Sequence, residues 1–229
     1  MSNSRLRSSL LTLVFVPVVS FLSGRNVAAQ ATNCVPPPAG LVSWWRGESN
    51  ALDSVGTNHG TLVGDTTFGA SRVGQGFLFD GSGDAVDVGN PTNLQLQNLT
   101  IEAWIKRGSP TVVSLDPYQS ANIFACTWGG YALGITDDGR IYLSKVGFSG
   151  VYATTPITDT VNFHHLAATK SGNTVMLYVD GIGESVGPYN PGFTFGGPSA
   201  IGTRGSDYVR TFLGRIDEVS IYNRALSAA

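Results

Sequence analysis

Four glutamates, Glu48, Glu102, Glu184 and Glu218, are the only ones in the chain. With the aspartates they are the side chains that could cut a glycosidic bond. Retaining hydrolysis needs two carboxyl groups about 5 Å apart, flanking that bond. No two glutamates lie in such a spacing. Asp217 and Glu218 are adjacent in a strand-like run, where neighbours point to opposite faces. Glu102 stands alone between Ile101 and Ala103. A glycosidase is therefore not expected. His164 and His165 invite a metal or acid–base reading, but consecutive strand residues face opposite ways and cannot hold one ion. One is expected under the sheet and the other at its surface. Nothing resembles the nucleophile elbow that would mark a Ser-His-Asp hydrolase.

Hard oxygen donors are better gathered. Glu48, Asn50, Asp53 and Asn58 crowd the loop after the first strand-like run, and Asp217 lies in the last one. Ca²⁺ takes several carboxylate, amide and carbonyl oxygens with no strict spacing. In a sandwich the first and last strands are neighbours, so Glu48, Asp53, Asn58 and Asp217 are candidate ligands of a structural Ca²⁺. The alternative is that Asp53 and Asn58 only cap turns. Asp80, Asp84 and Asp87 lack the alternation and closing Glu of an EF-hand loop, so they read as a tight turn. A sugar asks for other chemistry, namely aromatic faces against pyranose rings. Trp128, Tyr131, Tyr142 and Tyr152 fall on successive mid-chain strands or their ends and could form such a platform. Aromatics also fill sandwich interiors, so each of the four has a packing alternative.

The elements that must position these groups are strands. Phe163 to Gly181 reads as two strands joined by Ser171-Gly172-Asn173, the second closing on Asp180-Gly181. In that second strand Val175, Leu177 and Val179 point one way and Thr174, Met176 and Tyr178 the other, with both faces expected to be covered. Further strand-like runs lie at 41–46, 76–80, 85–88, 99–107, 122–128, 131–136, 140–146, 151–155, 200–202 and 212–222. The turns between them carry Gly and Asp, as in Asp80-Gly81-Ser82-Gly83-Asp84. No long stretch shows a helical apolar period, which excludes βαβ units. Many short strands with frequent turns predict an all-β, two-sheet antiparallel jelly-roll sandwich without internal repeats. Trp44 and Trp45 are adjacent, so one is expected in the core and the other outside it.

The N-terminus predicts a signal peptide over residues 1–31: Arg5 and Arg7, an apolar run from Leu10 to Leu22, then Ala29-Gln30-Ala31. That run contains Pro17 and is shorter than the ~20 apolar residues a membrane span needs. A secreted protein follows, with a stiff Pro-rich arm at 32–40 and a single domain at 41–229. The net charge of −2 becomes more acidic once the three arginines of residues 1–31 are removed, and no basic run remains. Nucleic acid is thus not an expected partner. Cys34 and Cys126 either form a disulfide in an oxidising compartment or stay free, with Cys126 a small buried hydrophobe. Asn98-Leu99-Thr100 is a glycosylation sequon.

Five segments in order carry a resemblance. They are Gly74 to Val88, Leu99 to Ile105, Phe163 to Thr169, Leu177 to Gly181 and Phe212 to Leu226. Together they resemble laminin-G-like jelly-roll domains of the concanavalin A-like lectin/glucanase superfamily. The resemblance covers nearly all of 41–229 and implies the same sandwich. It also implies structural calcium tying the loop after the first strand to the closing strand. Similar domains run on past the Ala225-Leu226-Ser227 element, so a C-terminal truncation is expected. The superfamily's hydrolases carry a Glu-x-Asp-x-x-Glu type cluster on one strand, and this chain has none. The expected function is a secreted, non-catalytic module binding a glycan or an extracellular surface protein. The alternative is an adhesion or scaffold domain without a glycan site, since a shared fold does not fix function.

Overall fold

The computed structural model describes residues 36–227. The expected signal peptide and Cys34 lie outside the described residues. Fifteen strands follow in chain order. They are β1 (Leu41–Trp45), β2 (Thr61–Val63), β3 (Thr67–Ala70), β4 (Gln75–Asp80), β5 (Ala85–Gly89), β6 (Leu99–Arg107), β7 (Ser120–Cys126) and β8 (Tyr131–Thr136). Then come β9 (Arg140–Lys145), β10 (Ser149–Pro156), β11 (His164–Ser171), β12 (Thr174–Val179), β13 (Ile182–Pro188), β14 (Ser199–Ile201) and β15 (Leu213–Tyr222). The short β2, β3 and β13 were not legible as strands: β2 and β13 are mostly exposed and carry little apolar alternation.

Two antiparallel sheets form a sandwich, as expected. One sheet runs β13-β12-β11-β6-β15-β4-β3, with β1 also paired to β15, and the other runs β10-β9-β8-β7-β14-β5-β2. The first and last strands are indeed neighbours, Trp44 opposite Ser220 and Trp45 opposite Val219. The arm's end is tied down there too, because Arg224 donates from Nε to the Ala39 carbonyl at 2.7 Å.

Alternation builds the core. In β6 Leu99, Ile101, Ala103 and Ile105 are buried, while Glu102, Trp104 and Lys106 face outward and are half-buried. Trp45 is fully buried and stacks on Phe124 with centroids 5.9 Å apart. Its indole N–H donates to the Asn58 carbonyl at 2.7 Å. Trp44 lies on the outer face and is only half-buried, so the tryptophan pair splits as predicted. In β12 the outward Met176 and Tyr178 are only partly covered, against the expectation of two covered faces. A two-layer sandwich covers one face of each sheet.

Asp217 and Glu218 depart from the alternation rule. The register of β15 against β6 shifts between Asp217 and Ser220, and Glu218 has φ +55°. This is a β-bulge, in which an extra residue re-aims its side chain.

The two histidines split as expected: His165 faces outward against Trp104, while His164 shares the inward parity of Leu166 and lies at the end of the interior beside Ala153 and Ile157. Its Nδ1 is 2.7 Å from Asp180 Oδ2 and its Nε2 2.7 Å from Asp159 Oδ2. Burial pushes its pKa down, but the bonds to Asp180 and Asp159 outweigh that, and the net direction is up. Asp159 is held down at about 2, by the Asn162 backbone N–H first and by His164 next.

Two outcomes are expected. Trp45→Ala removes a stacked, hydrogen-bonded core side chain and should lower unfolding stability by about 3–5 kcal/mol in a urea titration. The His164 cluster should stabilise fully between about pH 4 and pH 6.5. Its histidine contribution fades as pH rises through the raised His164 pKa, and its Asp159 contribution fades as pH falls towards 2. Melting profiles of wild type and His164→Asn against pH should converge at high pH; a constant gap up to pH 9 would refute this.

Candidate functional site

The outer face of the seven-stranded sheet carries a groove of about 730 Å³. Its construction follows from register. Asn122, Gly134, Tyr142 and Tyr152 stand opposite one another across β7, β8, β9 and β10. Tyr142 lies over Gly134, where a Cβ would come within 2.3 Å of its ring. The Tyr142 and Tyr152 rings are 5.5 Å apart. The next outward row is small, Ala132 opposite Ser144 and Ser144 opposite Gly150. Beyond that row rise Trp128 from the β7–β8 turn and Phe148 from the β9–β10 turn. A low floor thus runs between two aromatic walls.

The turns hold those walls in place. Gly129 N–H donates to the Val146 carbonyl at 2.9 Å, and Val146 N–H to the Gly130 carbonyl at 2.8 Å. These bonds lash the two turns together. Gly147 has φ +82°, and a Cβ there would meet Trp128 Cε3 at 1.9 Å. Only glycine permits that approach.

Four cations line the same groove, Arg140, Lys145, Arg204 and Arg210, and no Asp or Glu does. Arg204 and Arg210 arrive on the loop between β14 and β15. Arg204 pairs with Asp207 and lies 4.8 Å over the Trp128 ring. Arg210, at φ +62°, donates to Ser120 Oγ and lies 4.6 Å over the Tyr118 ring. Its carbonyl accepts the Asn122 N–H at 3.0 Å, which pins the loop to β7. Arg140 bonds Asp138 at 2.8 Å, and Lys145 Nζ donates to the Pro191 and Gly192 carbonyls at 3.3 and 2.8 Å. Burial raises the Tyr142 pKa to about 12, so its hydroxyl stays a proton donor, on Asn122 Oδ1 at 3.0 Å.

Of the four expected aromatic ligand residues, the structure brings Trp128, Tyr142 and Tyr152 together here. Tyr131 is corrected: it points inward, fully buried, with its hydroxyl donating to the Leu94 carbonyl at 2.6 Å. Odd positions of β8 face the core, so Tyr131 packs against Phe193 and Phe195 instead. Sequence reasoning missed Tyr118, Phe148 and all four cations. The alternate positions Arg140, Tyr142 and Ser144 in β9 were a usable signal; nothing local marked Arg204 or Arg210.

The expected calcium ligands fall into two groups, Asp53 with Asn58 and Glu48 with Asp217. Asp53 Oδ1 accepts the N–H groups of Trp44, Val55 and Gly56 at 3.0–3.1 Å, and Oδ2 accepts that of Asn58 at 3.2 Å. Burial opposes ionisation of Asp53, but these bonds prevail and its pKa is lowered. Asn58 spends its amide on Ser43 Oγ and Asn93 Oδ1. Asp53 and Asn58 are therefore loop caps. Glu48, from the β1–β2 loop, and Asp217, in β15, both reach the end of the β3–β4 turn, accepting from the Gln75 and Val73 N–H groups at 3.2 and 2.9 Å. Asn50 closes its own turn onto the Leu52 N–H at 3.0 Å. Among the described residues no three His, Cys, Asp or Glu side chains are placed to share one ion. Asp53 is taken up by backbone donors, whereas Asp217 keeps Oδ1 buried without a partner among the described residues.

Two carboxyls elsewhere are perturbed. Burial raises the pKa of both Asp217 and Glu218, and Trp44 Nε1 donates to Glu218. They lie on the eight-stranded sheet, away from the groove. Glu102, also on that sheet, is 3.6 Å from His165 and accepts from the Tyr222 hydroxyl at 3.2 Å. Cys126 is buried with its thiol pKa raised to about 11, and it accepts from Ser199 Oγ.

Comparison with known proteins agrees with this architecture. No curated protein sequence matches the chain. Among solved structures, domain 4 of the extracellular arabinanase AbnA from Geobacillus stearothermophilus, in complex with arabinotriose, aligns with a TM-score of 0.66 at 17% identity. That alignment covers 82% of this chain and 94% of the domain. Trypanosoma rangeli sialidase in complex with sialic acid gives 0.60 at 17% identity, covering 85% of this chain and 32% of the sialidase. A botulinum neurotoxin type C structure, whose cell entry depends on two ganglioside molecules, gives 0.60 at 12% identity over 82% of this chain and 49% of that one. The chain therefore spans about a third of the sialidase and half of the toxin chain. At these identities the likeness establishes the fold, one shared with proteins that bind carbohydrate and with larger enzymes. The Laminin_G_3 family model matches residues 80–229, taking in four of the five segments read above as laminin-G-like and part of Gly74–Val88, and by that match this chain belongs to the Laminin_G_3 family of the concanavalin A-like lectin/glucanases superfamily.

Proposed function

We propose that the protein is a secreted, non-catalytic module that binds glycan in the groove of the seven-stranded sheet. One observation carries the reading. The clearly exposed aromatic side chains among the described residues are Tyr118, Trp128, Phe148 and Tyr152, and all four line that groove. Single exposed apolar residues need no explanation, but a cluster rimmed by polar groups marks a binding site. Amphipathic rings stack on the apolar faces of sugars, while Ser144 and Asn122 supply hydroxyl partners. The clustering favours a glycan over a protein partner, whose broader contact would suit aromatics spread across a face.

The non-catalytic part rests on the lining. With no Asp or Glu in the groove, it lacks the carboxyl pair that glycoside cleavage requires. The raised carboxyls of Asp217 and Glu218 belong to the other sheet. The solved neighbours in complex with arabinotriose and sialic acid make a sugar ligand a reasonable choice for this fold.

Three measurements test this. Affinity electrophoresis against a panel of soluble polysaccharides should retard the wild type on at least one, and Trp128→Ala should weaken that binding about tenfold or more. Retardation by none would defeat the reading. Gly147→Ala forces a left-handed backbone on alanine and displaces Trp128. It should cost about 1–3 kcal/mol and weaken the same binding. Chelation with EDTA should leave the melting midpoint in place, because the Asp53 carboxylate is already filled by backbone donors; a fall would mean that an ion is held after all.

A further inference from the structure

We infer that the groove selects anionic saccharides, chains whose rings carry carboxylate or sulfate, through Arg210 and Lys145. The inference rests on the glycan reading above and names the ligand class of that site. Its basis is a charge asymmetry. The whole chain carries a formal net charge of −2, yet four of its 14 basic residues line this one groove without a lining acid.

The four cations are not equivalent. Arg140 and Arg204 are each neutralised by a neighbouring aspartate, Asp138 and Asp207. Arg210 and Lys145 have no carboxylate within ion-pairing distance among the described residues. Arg210 commits one N–H to Ser120 Oγ, which leaves most of its five donors open. Lys145 Nζ spends two protons on backbone carbonyls and keeps a third.

Both cations are also fixed. Arg210 stacks on Tyr118 at 4.6 Å and Lys145 lies 5.0 Å over Phe148. A guanidinium anchored over a ring and by one N–H keeps its remaining donors as a fork, the arrangement that takes carboxylate or sulfate oxygens bidentately. The two lie among the walls that would stack the sugar, so ring and charge can be read together. A neutral glycan would leave this charge unanswered on binding.

The test uses the full chain and a matched pair of polymers, polygalacturonate and its carboxyl-reduced neutral form, with heparin as the sulfate arm. Isothermal titration at low salt should give at least tenfold tighter binding to polygalacturonate or heparin than to the reduced polymer. The preference should shrink as NaCl rises. Arg210→Gln, which keeps a donor for Ser120, should lose about tenfold on the charged polymer and little on the neutral one. Whichever charged arm binds more tightly identifies the anion as carboxylate or sulfate. Equal binding of charged and reduced polymers, lost in Trp128→Ala, would overturn the anionic inference and leave the glycan reading standing. Binding of neither would remove both. Salt-sensitive binding unchanged by both Arg210→Gln and Trp128→Ala would place the charge recognition elsewhere and overturn the inference. Tighter binding of poly(dT) than of any saccharide would replace the sugar with a nucleic acid.

Discussion

An aromatic stack joins the two sheets, and the other features depend on it. Trp45 from the eight-stranded sheet lies on Phe124 of the other, Phe124 on Tyr131, and Tyr131 meets Phe193 and Phe195 edge-on. All centroid separations fall in the range where ring quadrupoles attract. Burying each such side chain contributes roughly 1.5–3 kcal/mol. Because this layer claims alternate residues on every strand that crosses it, the remaining alternate residues are committed to the outside. The groove is made of those leftovers, and its spacing is inherited from a strand separation of about 4.8 Å.

Two departures from regular strand geometry give the outer surfaces their character. On the seven-stranded sheet, glycines at 134 and 147 remove side chains where aromatic rings must lie flat, so Tyr142 and Trp128 can settle low against the backbone. On the eight-stranded sheet, the bulge at Glu218 turns that carboxylate toward the Trp44 indole. The first builds a concave, aromatic surface. The second gathers partly buried acid on the opposite side of the molecule.

The resulting division of charge has a physical logic. Cations placed over rings satisfy two needs, since the ring's negative face partly offsets the charge and the cation holds the ring's orientation. Arg204 and Trp128 are such a pair, with Asp207 completing the neutralisation. Arg140 over Tyr152 is another, at 5.7 Å. Rings and cations that hold one another in place lower the ordering cost of binding.

Local pattern determined a good deal. Two-residue alternation in β6 and β12, the turn chemistry of Asp80-Gly81 and Asp180-Gly181, and the absence of helical period dictated an antiparallel sandwich and the neighbouring of β1 with β15. The split of Trp44 from Trp45 followed from the same rule. What alternation could not supply was its own phase on β8, so Tyr131 was placed outside when it belongs to the core. Nor could it foresee the bulge, because Glu218 takes a left-handed conformation that no glycine or asparagine advertises. Asp53 looked like an ion ligand because its oxygens were counted without the backbone N–H groups that the folded loop aims at them. Arg204 and Arg210 reach the groove from a loop some sixty residues beyond Tyr142. Their place beside Trp128 and Tyr118 was decided by strand order and loop anchoring. Strand order is set by how the inner faces pack, a property of the whole chain that no local window of sequence contains.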